Sequence, residues 1–521
     1  MASSRPPAAI DALRQLLGPA HLLTGDADRA FFSTDIFRSE IATAAVAQPG
    51  SVQELSDTVR IATRHGLAVL PRGGGMSYTD GYIPDRAGAI TIDTRRLDRI
   101  VEINADDMFV TVECGVTWIQ LNAALEPKGL RTPFWGTGSG RYATVGGTVS
   151  QNAINYGSAR FGPASDSVLG LEVVLADGRV LKTGSAATPH YPSPFFRTYG
   201  PDLTGLFLAD TGALGVKAHI TLKLIRRPAA TQYGSFEFPD YASICAAMSE
   251  IAREGVASEM SGYDASVLRH MIQRRSLAED LGHLGAVAKR EGLGAAARVV
   301  LAGRRAFRGV DYSLHFTVDG RDSLEAESGH ALAEKICRNA SGKAIEPSIP
   351  KLTRAGPFPL PNLLFDGAGR QWIPVHAIVP HSRLVPLIER IEQYFSDKAD
   401  TLKTHGIDWG FFLAPATTQA IRVEPCFFFP DAPNRLRQSF FSLDELARLA
   451  PLPSNPAAHA AVRAMRQDIA ALSVDFGAAH FQIARMYRYR ESREAETFAL
   501  LRTLKAHVDP DGLMNPGALG L

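Results

Sequence analysis

Three consecutive glycines, Gly73-Gly74-Gly75, follow Pro71-Arg72 directly after the apolar run Leu67-Ala68-Val69-Leu70. Backbone without side chains turns tightly and can present successive N–H groups to an anion. The pyrophosphate of a dinucleotide suits such a turn, and a plain surface turn is the alternative for a lone triplet. The triplet has company. Gly136-Thr137-Gly138-Ser139-Gly140 is followed by Thr144-Val145-Gly146-Gly147, and Thr211-Gly212-Ala213-Leu214-Gly215-Val216 precedes another apolar run. Three glycine-hydroxyl loops at element ends favour a cofactor pocket over three unrelated turns. The nicotinamide pattern G-x-G-x-x-G is not met, because Gly73-x-Gly75 continues to Tyr78 and Gly136-x-Gly138 to Arg141. The P-loop pattern is also missing. A dinucleotide pocket outside the Rossmann class is expected.

The elements around these loops read as follows. Residues 1–40 form a helical lead-in with Ile10, Leu13, Leu16 and Leu17 on one face. Ser51 with Glu54 is a capping box that opens a helix through His65, which Gly66 stops. Leu67–Leu70 is a buried strand. Strands follow at Ala89–Asp93, Arg99–Ile103 and Met108–Glu113, and Thr117 with Gln120 opens a helix ending near Gly129. Asp177-Gly178 between two apolar runs signals a hairpin. Ala218–Ile225 is one more strand, and Arg226-Arg227-Pro228 marks a boundary. Beyond it, Tyr241–Glu254, Val385–Asp397, Ala457–Phe476 and Glu494–His507 read as helices and Ile421–Phe429 as a strand. Glu279–Phe307 is rich in Ala, Gly and Arg, and the proline-rich residues 346–363 read as a loop or linker.

At 521 residues the chain exceeds one hydrophobic core, so two or three domains are expected. Lys and Arg total 55 against 54 acids, a net charge of +1, which gives no case for nucleic acid or an anionic membrane. Cys114, Cys245, Cys337 and Cys426 contain no C-x-x-C pair and read as buried free thiols. No signal-peptide pattern opens the chain and no run of 18 apolar residues occurs, so a cytoplasmic enzyme is expected. The sequon Asn339-Ala340-Ser341 is then a chance match.

Five segments in order carry a resemblance: Pro71–Gly75, Ala143–Gly147, Asp166–Gly178, Asp210–Val216 and Asp509–Gly517. Residues 43–225 and the C-terminal tail resemble the flavoprotein superfamily of vanillyl-alcohol oxidase and para-cresol methylhydroxylase. That superfamily also holds glycolate- and D-lactate-oxidising flavoproteins. The resemblance implies an α+β, two-domain flavoprotein: a split FAD-binding domain of two α/β subdomains, and a cap on an antiparallel sheet with helices. It places the FAD-binding part at 1–228, the cap or substrate domain at 229–455, and a returning segment at 456–521. It assigns Pro71, Arg72, Gly73, Gly74, Gly75, Met76 and Ser77 to the pyrophosphate loop. Gly138, Ser139, Thr144, Gly146 and Gly147 would line the dinucleotide. Asn152, Ser158 and Gly162 would approach the flavin, Gly215 and Val216 the adenine, and Asn515 the isoalloxazine from the tail. It further implies a small-molecule substrate, O2 or an electron-carrier protein as acceptor, and a homodimer.

Departures from the family pattern shape the expected chemistry. Met76 stands where some relatives carry a flavin-bonding histidine, and Ile421–Phe429 holds no His or Tyr. Non-covalent FAD is therefore expected, with Cys426 the one odd candidate for a bond. The histidine-rich metal motifs of the glycolate and D-lactate relatives are not reproduced, so no metal is expected. Gly477 and Ala478 replace the Tyr-Arg pair that binds phenolate in other relatives, which disfavours phenolate bound in that manner. The redox step needs a base for the donor hydroxyl and a cation for the charge on reduced flavin. His480 falls where the resemblance places an active-site histidine, and His376 is the second candidate base; either could instead be structural. Arg422 and Glu424 alternate on one strand and share a face, as an ion pair in the cleft or as a solvated edge. Arg485 could hold a substrate carboxylate. The leading expectation is FAD-dependent oxidation of a CH–OH donor, an aryl or other alcohol. The alternatives are a 2-hydroxy-acid dehydrogenase or oxidase, and a non-catalytic flavin-binding protein.

Overall fold

The apolar run after Gly66 forms the strand Ala68–Arg72, an edge of a parallel pairing that is buried along nearly its whole length, which explains its unbroken hydrophobicity. In the computed structural model it pairs with Ala89–Asp93, which pairs in turn with Ala45–Ala47, both in parallel. The structure describes residues 5–38, 41–271, 285, 287–289, 292–294, 296–297, 309–359, 364–366, 368–449 and 452–521. The helix Val52–Arg64 starts where its capping residues require: Ser51 Oγ accepts from Glu54 N, and the Glu54 carboxylate accepts from Gly50 N at 2.7 Å. The lead-in is two helices, Arg5–Leu17 and Asp26–Phe32. Leu22–Leu23 between them adds an antiparallel edge to the sheet at Val46 and Ala47.

A second sheet is antiparallel and orders Ile100–Asn104, Phe109–Glu113, Val216–Lys223, Val168–Val174 and Val180–Lys182. The Asp177-Gly178 turn joins the last two, with Val174 opposite Val180. One hydrophobic core underlies both sheets, from Leu55 and Val69 to Val112, Val173 and Ile220.

The remaining strands build an eight-stranded antiparallel sheet from segments between Ala230 and Phe429. The helices Tyr241–Glu254, Ser323–Asn339, Leu384–Asp397 and Pro456–Asp475 bury their apolar residues in its core. The strand Ala420–Phe429 divides its faces by parity. Ile421, Val423, Phe427 and Phe429 enter that core, while Arg422, Glu424, Cys426 and Phe428 face a cavity on the other side.

One expectation needs correction. The stretch 346–363 is not simply a loop, since Ser348–Ala355 is helical. Pro347 and Pro350 sit at its cap and in its first turn, where a missing N–H costs no helical bond. Most of Glu279–Phe307 lies outside the described residues.

The chain returns at its end to the parallel sheet. Val69 N donates to Leu513 O at 2.8 Å, and Asn515 N donates to Val69 O at 2.9 Å. Lys505 secures this return: its ammonium donates to Ala213 O and Met514 O, each at 2.7 Å, and pairs with Asp509. Arg437 ties the large sheet to the rest. Its fully buried guanidinium donates to the carbonyls of Ile36 at 2.7 Å, Leu364 at 2.6 Å and Trp372 at 2.9 Å. Burial pulls its pKa down to about 9, still protonated at neutral pH. Arg437→Ala leaves all three carbonyls without this donor and is expected to cost about 3 kcal/mol. A lower midpoint in denaturant unfolding would show it; an unchanged midpoint would mean the clamp contributes nothing.

Candidate cofactor and donor site

A single cavity extends from the glycine loop after the strand Ala68–Arg72 to the Arg422–Glu424 face of the large sheet. Pro71, Arg72, Gly73, Gly74, Gly75, Met76 and Ser77 all line it. Gly138, Ser139, Thr144, Gly146 and Gly147 form a second wall, and Gly215 and Val216 a third. The glycines are needed for close approach. A Cβ on Gly74 would lie 1.8 Å from Tyr142 O, and one on Gly73 would lie 2.3 Å from Thr144 Oγ1. Among the described residues, the N–H groups of Gly73, Gly74, Gly75, Met76 and Ser77 donate to no protein acceptor. A run of unpaired N–H groups beside a cavity is a nest for an anion. Arg72 braces the loop from behind. Its buried guanidinium packs over Phe32 at 4.7 Å and Tyr82 at 5.2 Å, and the Tyr82 hydroxyl donates to Gly75 O at 2.9 Å.

Four expected cofactor contacts are displaced from the cavity wall. Asn152 adopts a left-handed φ of 51° and accepts from Ser165 N through Oδ1 at 3.1 Å. Ser158 Oγ accepts from Asn155 N at 3.0 Å. Gly162 packs on Asp166, whose Oδ2 would lie 2.1 Å from an added Cβ. Asn515 donates to Gly81 O at 2.9 Å and to Thr211 O, and accepts from Arg485 at 2.6 Å. These side chains position their neighbours instead: Asn155, Gly81 and Thr211 do line the cavity.

At the other end Arg422 and Glu424 are a buried ion pair, 4% and 3% exposed, with Nε 3.0 Å from Oε2. The pair is inside the cleft, which rules out the solvated edge. Arg422 Nη1 donates to Ile154 O at 2.9 Å, and the guanidinium lies 4.4 Å from the Phe412 ring centre. Nε and Oε2 are close but misaligned, so among the described residues Arg422 Nη2 and Glu424 Oε2 make no hydrogen bond. Burial raises the Glu424 carboxyl above its usual range against the opposing pull of Arg422. Tyr78 lines the same region, and Arg466 holds its carbonyl at 2.7 Å. Burial pushes the Tyr78 phenol well above its ordinary pKa, and the charge of Glu424 adds to this. Gln482, with φ of 51°, also lines the cavity. Neither residue was singled out from sequence; the one signal was that Tyr78 directly follows the glycine loop.

Three proposed catalytic residues lie elsewhere. His480 Nδ1 donates to His376 O at 2.8 Å and its ring stacks on Tyr487 at 4.2 Å, away from the cavity. Burial lowers its pKa to about 4. His376 is screened by Phe481, which stacks on it at 3.8 Å and lines the cavity in its place. Burial and the nearby cations hold the His376 ring well below its ordinary pKa. Arg485 is occupied in closing the tail, donating to Asp80 O at 2.6 Å and Pro516 O at 2.7 Å. Cys426 does line the cavity, but burial holds its thiol well above its ordinary pKa, against thiolate chemistry.

Comparison with known proteins agrees with the glycine loop. A family model described as "FAD binding domain" matches residues 43–184, and one described as "FAD linked oxidases, C-terminal domain" matches residues 483–519. Residues 43–184 are an FAD-binding domain. The chain is 30% identical over 217 residues to the glycolate oxidase subunit GlcD of Bacillus subtilis, covering 42% of this chain and 44% of that one. It is 32% identical over 223 residues to the 1'-carboxy-chondrochloren decarboxylase of Chondromyces crocatus, covering 42% and 40%. The matches thus span less than half the length of these relatives. The structure of p-cresol methylhydroxylase superposes with a TM-score of 0.75 at 16% identity, over 100% of this chain and 97% of that one, which shows a shared fold.

The residues of this FAD-binding domain fit the cofactor: unpaired N–H groups face one cavity, and two backbones meet where only glycine can stand. Gly74→Ala drives a Cβ into the Tyr142 carbonyl and must displace the loop. The variant is expected to purify with strongly reduced flavin absorbance per chain. Full flavin content would show that the loop does not depend on that approach.

Proposed function

We propose that this protein is an FAD-dependent oxidoreductase that takes a hydride from a CH–OH donor held against Arg422 and Glu424. Residues 1–228 with the tail after Gln482 form the cofactor side, and the eight-stranded sheet supplies the donor wall. The observation that supports this most is the buried pair itself. A guanidinium N–H and a carboxylate oxygen, both without hydrogen-bond partners among the described residues, line the cavity that begins at the glycine loop. Unpaired buried groups of this kind are costly unless a ligand meets them.

When bound, FAD supplies the hydride acceptor at its N5. The chain's own residues handle the proton and the charge. Glu424 Oε2 accepts the hydroxyl proton of the donor, and its raised pKa brings it closer to the range of a useful base. Arg422 Nη2 donates to the donor oxygen, and its charge favours the negative charge that develops there. The apolar wall of Phe412 and Phe481 keeps water from the reacting carbon.

A 2-hydroxy acid is the second reading. The free Arg422 Nη2 could take a carboxylate, and one relative is a glycolate oxidase subunit. Anaerobic mixing of the yellow protein with benzyl and cinnamyl alcohols, glycolate and D-lactate separates the two by which class bleaches the flavin. Bleaching by none of them, with flavin bound, would leave a flavin-binding protein without this activity.

Glu424→Gln is expected to retain FAD and to slow bleaching about a hundredfold or more. Unchanged kinetics would remove Glu424 as the base. Because the base acts ionised and its pKa is raised, the bleaching rate should fall as pH drops through that raised value. His480→Ala should leave the rate within a few-fold of the parent.

A further inference from the structure

We propose that the cavity takes an elongated donor whose far end carries a hydroxyl group bound by His270. The proposal rests on the reading of Arg422 and Glu424 as the reacting end. Along the strand Ala420–Phe429 the cavity wall is built by Arg422, Glu424, Cys426 and Phe428 in turn. At about 3.3 Å per residue, Glu424 and Phe428 stand about 13 Å apart. The wall is polar at the first two positions and apolar over the next two, with Trp372 opposite Phe428 on the neighbouring strand.

The wall turns polar again at its end. His270, on the helix Ala265–Met271, stacks its ring on Phe428 at 3.8 Å, and both residues line the cavity. The His270 side chain is 1% exposed. Its Nδ1 lies 2.9 Å from Asp366 Oδ2, the same oxygen that accepts from Arg370 Nε at 2.9 Å. Nδ1 also lies 3.2 Å from Arg370 Nη2, so it donates to Asp366 in one tautomer and accepts from Arg370 in the other. That leaves Nε2. Among the described residues Nε2 makes no hydrogen bond, although Asp408 Oδ2 lies 3.3 Å away without alignment.

A buried, unpaired ring nitrogen at the end of an apolar trough selects for a hydroxyl. An O–H donates to a bare Nε2 and accepts from a protonated one. A distal carboxylate is disfavoured, because two carboxylates, Asp366 and Asp408, flank the ring against the one guanidinium of Arg370. The donor class is therefore a flat or aliphatic apolar body with a CH–OH at one end and a second hydroxyl at the other.

The test uses the flavin-loaded protein with benzyl alcohol, cinnamyl alcohol, and its 4-hydroxy, 4-methoxy and 4-carboxy derivatives. The dissociation constant is read from saturation of anaerobic bleaching. The 4-hydroxy compound is expected to bind about fivefold more tightly than the 4-methoxy compound, the worth of one neutral hydrogen bond. The 4-carboxy compound should bind worst. His270→Phe, which keeps a ring against Phe428, should abolish the hydroxyl advantage and leave benzyl alcohol unchanged. His270→Gln, which keeps an N–H for Asp366, should retain part of it. Equal weakening of every donor, or a hydroxyl that brings no gain to the parent protein, overturns the subsite; the parent series alone decides this if neither variant folds. If no donor bleaches the flavin, the same compounds are titrated against its absorbance spectrum. A His270-dependent hydroxyl advantage there supports the subsite while the oxidation reading falls, and its absence overturns both.

Discussion

Two backbones pass each other at Gly74 and Tyr142 with no room for a methyl group between them. Most of the cofactor side follows from that contact. It brings the loop after the parallel strand Ala68–Arg72 against the segment that leads to Thr144 and Gly146, so two distant stretches become facing walls. The approach leaves the main-chain N–H groups of the loop turned to no protein acceptor, which only a bound anion or water can repair. Arg72 then sets the shape of the turn from beneath, its charge sheltered by aromatic faces. Each part would be unfavourable in isolation, and together they pre-form a site that an anionic cofactor completes.

The wall built by the large sheet obeys a different rule. In the strand Ala420–Phe429 the odd positions belong to a hydrophobic core and the even ones to the cavity, and both faces are buried. A half-exposed strand would show an apolar-polar alternation that reveals its wet side. Here the cavity face carries an arginine, a glutamate, a cysteine and a phenylalanine, so alternation breaks down after Glu424. The helices on the far face hold the strand rigid, which lets an ion pair persist out of water with part of its hydrogen-bonding capacity unused.

This contrast explains what could be read from the amino-acid sequence. The glycine loops, the helix Val52–Arg64 with its cap, the hairpin at Asp177-Gly178 and the helix Tyr241–Glu254 are governed by local chemistry, and the structure has them where residue types place them. Arg422 and Glu424 were legible as neighbours on one face because a strand's period is two. His480 and His376 misled because an imidazole among apolar residues looks the same whether it faces a ligand or a tyrosine ring. Only the stacking of Phe481 over His376 separates the two cases. His270 was invisible for the opposite reason: its partners Asp366 and Asp408 are distant in sequence and meet it only through the fold. The helix Ser348–Ala355 was hidden by prolines that happen to occupy its tolerant first turn.

The tail that closes against Val69 has a bearing on how the molecule comes into being. Leu513 and Asn515 bond the same strand that launches the glycine loop, and Lys505 locks them to Ala213. During synthesis the residues of the loop leave the ribosome more than four hundred positions before these partners exist. Until then the strand has one edge bare, and the intervening large sheet must fold while that edge waits. The second edge of that strand is thus completed only once the tail has been translated, so the support beneath the glycine loop is finished last.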